Sequence, residues 1–118
     1  MEKYQRSVKR WLYRCFGRAI AQDVKERNHR FLEEALELVQ AAGCSKNEAL
    51  LLVEYVYGRP VGELKQEVGG VAVTLTALCV AQKVSLEECA SGELGRIWHK
   101  MPEIRAKQLE KPNFHGSN

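Results

Sequence analysis

Apolar residues recur at three- and four-residue spacings along nearly the whole chain, the pattern of amphipathic helices, and strand-like alternation is almost absent. Tyr4, Val8, Trp11, Leu12 and Cys15 share one helical face, with Lys3, Arg6, Lys9, Arg10 and Arg14 between them. That pattern predicts a basic amphipathic helix ending at Gly17, its charged face solvated. A second helix is expected over residues 23–42, with Asp23 as N-cap and Gly43 as stop. Ser45 and Glu48 form a capping-box pattern that opens a third helix, closed by Gly58 and Pro60. Pro60 also suits the first turn of a fourth helix over residues 61–83. Ser85 and Glu88 repeat the capping-box pattern before a fifth, over residues 86–108. Leu94, Ile97, Trp98, Met101 and Ile104 make its apolar stripe, which Pro102 should kink or split. The expected architecture is all-α: an antiparallel bundle of about four to five helices in a single domain over residues 1–110, completed by dimerisation. The tail, residues 111–118, carries Pro112, Gly116 and Ser117 and is expected to be disordered.

Composition narrows the class. A chain of 118 residues buries a moderate core, and small helical chains often complete theirs with a second copy. The net charge of +3 is far from that of a dedicated nucleic-acid binder. Cys15, Cys44, Cys79 and Cys89 are irregularly spaced, with no histidine at zinc-ligand spacing, which points to reduced thiols. The N-terminus lacks an apolar signal core, and the uncharged run 68–82 is shorter than a membrane span. A soluble cytoplasmic protein without membrane contact is expected.

Two acidic segments carry the candidate chemistry. On the second helix Arg30, Glu33, Glu34 and Glu37 occupy one arc, opposite Phe31, Ala35, Leu38 and Val39, as on any solvated helix face. The fourth helix differs, because residues 71–80 are apolar nearly all round, as in a helix surrounded by others. Glu67 then sits at the mouth of a buried region, with Glu63 one turn earlier. Acids converging there would repel one another unless a cation neutralised them. Carboxylates without His or Cys favour a hard ion, Mg²⁺ first and Mn²⁺ as substitute, and such ions commonly complete their shell with phosphate oxygens.

The stretch Arg30-Phe31-Leu32-Glu33-Glu34-Ala35-Leu36-Glu37-Leu38 and the later Gly62-Glu63-Leu64-Lys65-Gln66-Glu67-Val68-Gly69-Gly70 resemble the MazG-like nucleotide pyrophosphohydrolases of the all-α NTP pyrophosphatase group. That family is marked by E-E-x-x-E followed downstream by E-x-x-D, and the resemblance covers residues 30–81. It implies an enzyme: Mg²⁺-dependent hydrolysis of nucleoside triphosphates to monophosphate and pyrophosphate, in a homodimer or higher homo-oligomer. By the same resemblance Glu34, Glu37 and Glu67 match metal ligands, and Glu33 matches the leading acid, which binds a second ion or orients the water. Gly70 stands where the family has Asp. Glu63 is then a candidate replacement ligand. The rival reading is a weakened or inactive relative that binds nucleotide or a protein partner.

The family often uses basic residues of its last helix to hold the triphosphate, which implies that role for Lys100 and Arg105, with Arg96 and Lys107, although a solvated basic face is the plainer reading of any one of them. Arg30 is a further phosphate candidate, and an ion pair with Glu34 would explain it equally well. His29, His99 and His115 lack companions at catalytic spacing and read as surface or structural residues. Trp11, Trp98, Tyr55 and Tyr57 read as core or dimer-interface residues.

Overall fold

The structure, a computed structural model, describes residues 2–112. Positions 113–118, including His115 and most of the tail expected to be disordered, lie outside the described residues. The described residues form six helices and no strand: α1 (Glu2–Ala21), α2 (Val24–Ala41), α3 (Lys46–Tyr57), α4 (Leu64–Gln82), α5 (Leu86–Trp98) and α6 (Met101–Glu110). The all-α class stands as expected. The helix count exceeds expectation because Pro102, in the first turn of α6, divides the expected fifth helix in two.

Local signals place most boundaries. Gly17 (φ 80°, ψ 169°) interrupts α1 where it was expected to end, although helical structure resumes to Ala21. Asp23 Oδ1 accepts the Glu26 N–H at 3.2 Å and caps α2. After α2, Gly43 takes φ +99° and the Cys44 N–H reaches back to the Val39 carbonyl at 2.8 Å, a Schellman closure. The Ser45 capping box has both halves: Ser45 N–H donates to Glu48 Oε1 at 2.8 Å, and Glu48 N–H to Ser45 Oγ at 3.1 Å. The fourth helix begins later than expected. Pro60 lies in the preceding loop, and Glu63 is the N-cap, its carboxylate accepting the Lys65 N–H.

The chain divides into two compact units, Met1–Phe31 with Glu88–Asn118, and Leu32–Glu87. The first unit holds the buried core. Trp11 and Cys15, one turn apart on α1, are its buried apolar residues, and Phe16 meets Trp11 edge to face at 5.6 Å. Trp11 Nε1 donates to the Ile97 carbonyl at 3.1 Å and Tyr4 Oη to the Ala90 carbonyl at 2.9 Å, fixing α5 beside α1. Helix α6 also packs on α1. Lys3, Arg6, Lys9, Arg10 and Arg14 are exposed, and the expected stripe from Leu94 to Ile104 is half-buried.

The second unit comprises most of α2 with α3 and α4, and no residue from 32 to 87 is buried. Other helices were expected to surround α4, and within one chain they do not. Only Leu75, Leu78 and Cys79 are half-covered, whereas Val73 and Val80 stay 69% and 74% exposed. Apolar composition records that α4 requires cover, not that this chain supplies it.

Lys83 closes α4 in the left-handed region (φ 58°, ψ 40°), with the Val84 N–H bonded to the Cys79 carbonyl at 3.0 Å. A side chain there costs about 1 kcal/mol that glycine avoids. Lys83→Gly is therefore expected to raise the thermal midpoint by about 3–5 °C in circular-dichroism melts. Glu48 has its pKa held below the ordinary 4.5 by the backbone N–H of Ser45 first and by the Ser45 side chain second. A depressed folded-state pKa adds stability that is present above the unfolded value and lost as pH falls through the folded one. Denaturation profiles between about pH 6 and pH 3 should show wild type losing more stability than Glu48→Gln on the acid side.

Candidate functional site

All five candidate acids belong to the second unit. Glu33 is half-buried, and Glu34, Glu37, Glu63 and Glu67 are exposed. Glu33 and Glu37, one turn apart, line an open depression of about 640 Å³ where α2 ends and α3 begins, together with Gln40, Cys44, Ser45 and Lys46. This pairing follows from helical periodicity alone.

Glu67 is not at the mouth of a buried region, because α4 is not buried. Its carboxylate lies over the α-carbon of Gly62, where an added Cβ would collide with Glu67 Oε2. A Cβ at Gly70 would stand 3.9 Å from Glu67 Oε1 in otherwise open space. An aspartate at position 70 would thus set a second carboxylate beside Glu67. The vacancy at Gly70 costs a donor at the spot where the resemblance wants one. Glu63 does not extend the arc of α4 as expected; its carboxylate caps the helix. That bond ties up one lone pair of the proposed replacement ligand and points it at the backbone.

The donor chemistry suits a hard cation, since Glu34, Glu37 and Glu67 offer only carboxylate oxygens. The geometry of one chain does not. Among the described residues no three His, Cys, Asp or Glu side chains are gathered closely enough to hold a metal ion.

The phosphate candidates belong to the first unit, and three of them, Arg30, Arg96 and Arg105, have structural partners there. Arg105 donates from Nε to the Cys15 carbonyl at 2.6 Å and from Nη2 to the Arg14 carbonyl at 2.9 Å. These carbonyls end the helical run that Gly17 breaks, so Arg105 caps that helix and complements its negative end. Arg30 lies 3.2 Å from Glu26 Oε1 and donates to the Pro112 carbonyl at 3.2 Å. Lys100 is the exposed residue that precedes α6. Arg96 is held by Glu93 through two bonds of 2.9 and 2.7 Å, which lower the Glu93 pKa.

Glu26 was missed in the sequence. It is the buried acid among the described residues, 7% exposed, and Gln108 Nε2 also donates to its Oε1 at 2.5 Å. Its spacing of four from Arg30 was the available signal. Nearby, Arg27 stacks over Phe16 at 5.4 Å with Nε and Nη2 buried and without hydrogen-bond partners. Burial pushes the Arg27 pKa down, opposed by the Glu26 charge. Burial likewise pushes the Cys15 thiol up, against the pull of Arg105. These groups hold the first unit together. All four cysteines are free thiols.

Among the described residues α4 is the one helix long and apolar enough to cross a membrane by length and composition, with 19 residues and a mean hydropathy of 1.3 in its best window. The run counted in sequence was shorter because it stopped at Glu67. Compared with known proteins, the chain matches no family model, no curated protein and no solved structure.

Proposed function

We propose that the chain is a nucleoside triphosphate pyrophosphohydrolase dependent on Mg²⁺, releasing pyrophosphate and a nucleoside monophosphate, and that it works as an assembly of identical chains. The observation that carries this reading is the pairing of Glu33-Glu34-Ala35-Leu36-Glu37 with Glu67 on two helices of one unit. Glu34, Glu37 and Glu67 are the metal-binding acids of the proposal. Because a single chain leaves them ungathered, the proposal requires assembly to bring carboxylates together. Glu33, half-buried beside Glu37, is the residue to orient the attacking water and take its proton.

Exposure supports the assembly. Leu51 on α3 is 71% exposed and Val80 on α4 is 74% exposed. A unit with nothing buried gains too little from burial to offset the entropy of ordering its backbone. Lipid would account for α4 alone, since α3 has only 12 residues and a bilayer span needs about 20. A second copy of the chain covers both helices.

The rival reading, a nucleotide-binding relative without activity, is favoured by Gly70, which leaves Glu67 with open space where a second acid would stand. A panel of canonical and modified nucleoside triphosphates, assayed for pyrophosphate release with and without Mg²⁺, separates the two. The hydrolase reading expects metal-dependent release, its loss in Glu37→Gln, a kcat lower by about 10²–10⁴ in Glu33→Gln, and tighter Mg²⁺ dependence in Gly70→Asp. Release that is absent, or equal in Glu37→Gln, sinks it. For the assembly, light scattering is expected to give a dimer or larger species, and Val73→Glu to yield monomers that melt at lower temperature. A wild-type monomer of undiminished stability would remove the second copy from the proposal.

A further inference from the structure

The proposed acids all lie in the second unit, so a triphosphate approaching them meets like charge unless that unit also supplies a cation. Its basic residues are Lys46, Arg59, Lys65 and Lys83, and Arg59 is its only arginine. A guanidinium grips two phosphate oxygens at once, whereas an ammonium acts as a point charge. The arginines of the first unit considered for this role are occupied: Arg30 by Glu26 and the Pro112 carbonyl, Arg96 by Glu93, and Arg105 by the Arg14 and Cys15 carbonyls.

Arg59 is exposed, and among the described residues no acidic side chain pairs with it. Its guanidinium lies 4.3 Å from the ring centroid of Tyr55, one turn back on α3. Stacking restrains the long side chain while leaving the in-plane N–H donors at its edge for another acceptor. The backbone is held as well. The Arg59 N–H donates to the Val56 carbonyl at 3.2 Å, and Pro60 fixes the torsion that follows. Three residues further on, the carboxylate of Glu67 rests on Gly62. Arg59 and Gly62 are at most about 11 Å apart along the chain, so a pre-stacked cation and a candidate metal-binding acid share one end of α4.

We propose that Arg59, restrained on Tyr55, is a phosphate-binding residue for the nucleoside triphosphate. The inference rests on the hydrolase reading for the identity of the substrate and goes beyond it in assigning the phosphate grip to the loop between α3 and α4. Tyr55 is a positioning residue, acting through Arg59.

The test measures binding of a fluorescent α,β-methylene deoxynucleoside triphosphate, which cannot release pyrophosphate, by anisotropy with Mg²⁺ present, alongside pyrophosphate release from natural triphosphates. Full-length wild type, Arg59→Ala, Arg59→Lys and Tyr55→Leu are compared, with circular-dichroism melts to show that each is folded. Arg59→Ala is expected to weaken analogue binding about tenfold or more and to raise KM by a similar factor. Arg59→Lys should recover part of the loss, Tyr55→Leu should show a smaller one, and affinity for the unphosphorylated nucleoside should not change. Unchanged analogue binding by Arg59→Ala, or an equal loss for the unphosphorylated nucleoside, overturns the assignment. Wild type that releases pyrophosphate while Arg59→Ala is unimpaired removes Arg59 and leaves the hydrolase. Wild type that binds the analogue through Arg59 without releasing pyrophosphate removes the hydrolase and leaves Arg59. Wild type that binds no analogue removes the assignment of Arg59 as well.

Discussion

Apolar side chains that a chain does not cover with itself have to be covered by something else, and this constraint governs residues 32–87. Burial is concentrated in the other unit, where Trp11 and Cys15 anchor α1 and polar bonds from Tyr4 and Trp11 fasten α5 beside it. The unit that carries the acids has well-formed helices, with a complete capping box at Ser45 and a Schellman closure at Gly43, but no interior. Its local order is specified by hydrogen bonds within a few residues of sequence. Its stability has to come from surfaces still facing water. The proposed function and the proposed assembly would therefore be linked through the same helices, because the acids ride on elements whose apolar sides are exposed.

The arginines divide the labour in a related way. Those of the first unit serve architecture: Arg105 closes a broken helix, Arg30 compensates buried Glu26, and Arg27 covers an aromatic ring. A buried carboxylate such as Glu26 is tolerable only because Gln108 and Arg30 share its oxygen. A charge used this way is not available to a ligand without cost. Arg59 is restrained by a ring rather than by an acid, which leaves its charge uncompensated.

What the sequence revealed was local. The face of α1, the break at Gly17, the caps at Asp23 and Ser45 and the division at Pro102 each depend on residues within a turn or two, and each appears where periodicity and capping chemistry put it. The start of α4 was misplaced because a proline fits a helix N-terminus and a preceding loop equally well, and here the loop runs on to Glu63. Glu63 thereby changed from a candidate ligand to a cap. The partners of Arg105 lie 90 and 91 residues away, a separation at which spacing carries no signal. The pairing of Glu33 and Glu37 was legible from a single helix, whereas their relation to Glu67 involves two helices and whatever covers them. Arg59 lies in a loop, outside every periodic pattern, where spacing carries no signal.

The cap on α1 has a consequence for how the molecule is made. During synthesis α1 emerges well before α6, and its helical run ends at Gly17, which leaves carbonyls without partners inside the helix. The guanidinium that satisfies them belongs to α6, 90 and 91 residues later, so α1 waits for that length of chain before its end is closed. Over that interval its apolar face and open carbonyls are both exposed on the nascent chain. α6 thus acts as a latch: a helix made early is secured only by one made some 90 residues later.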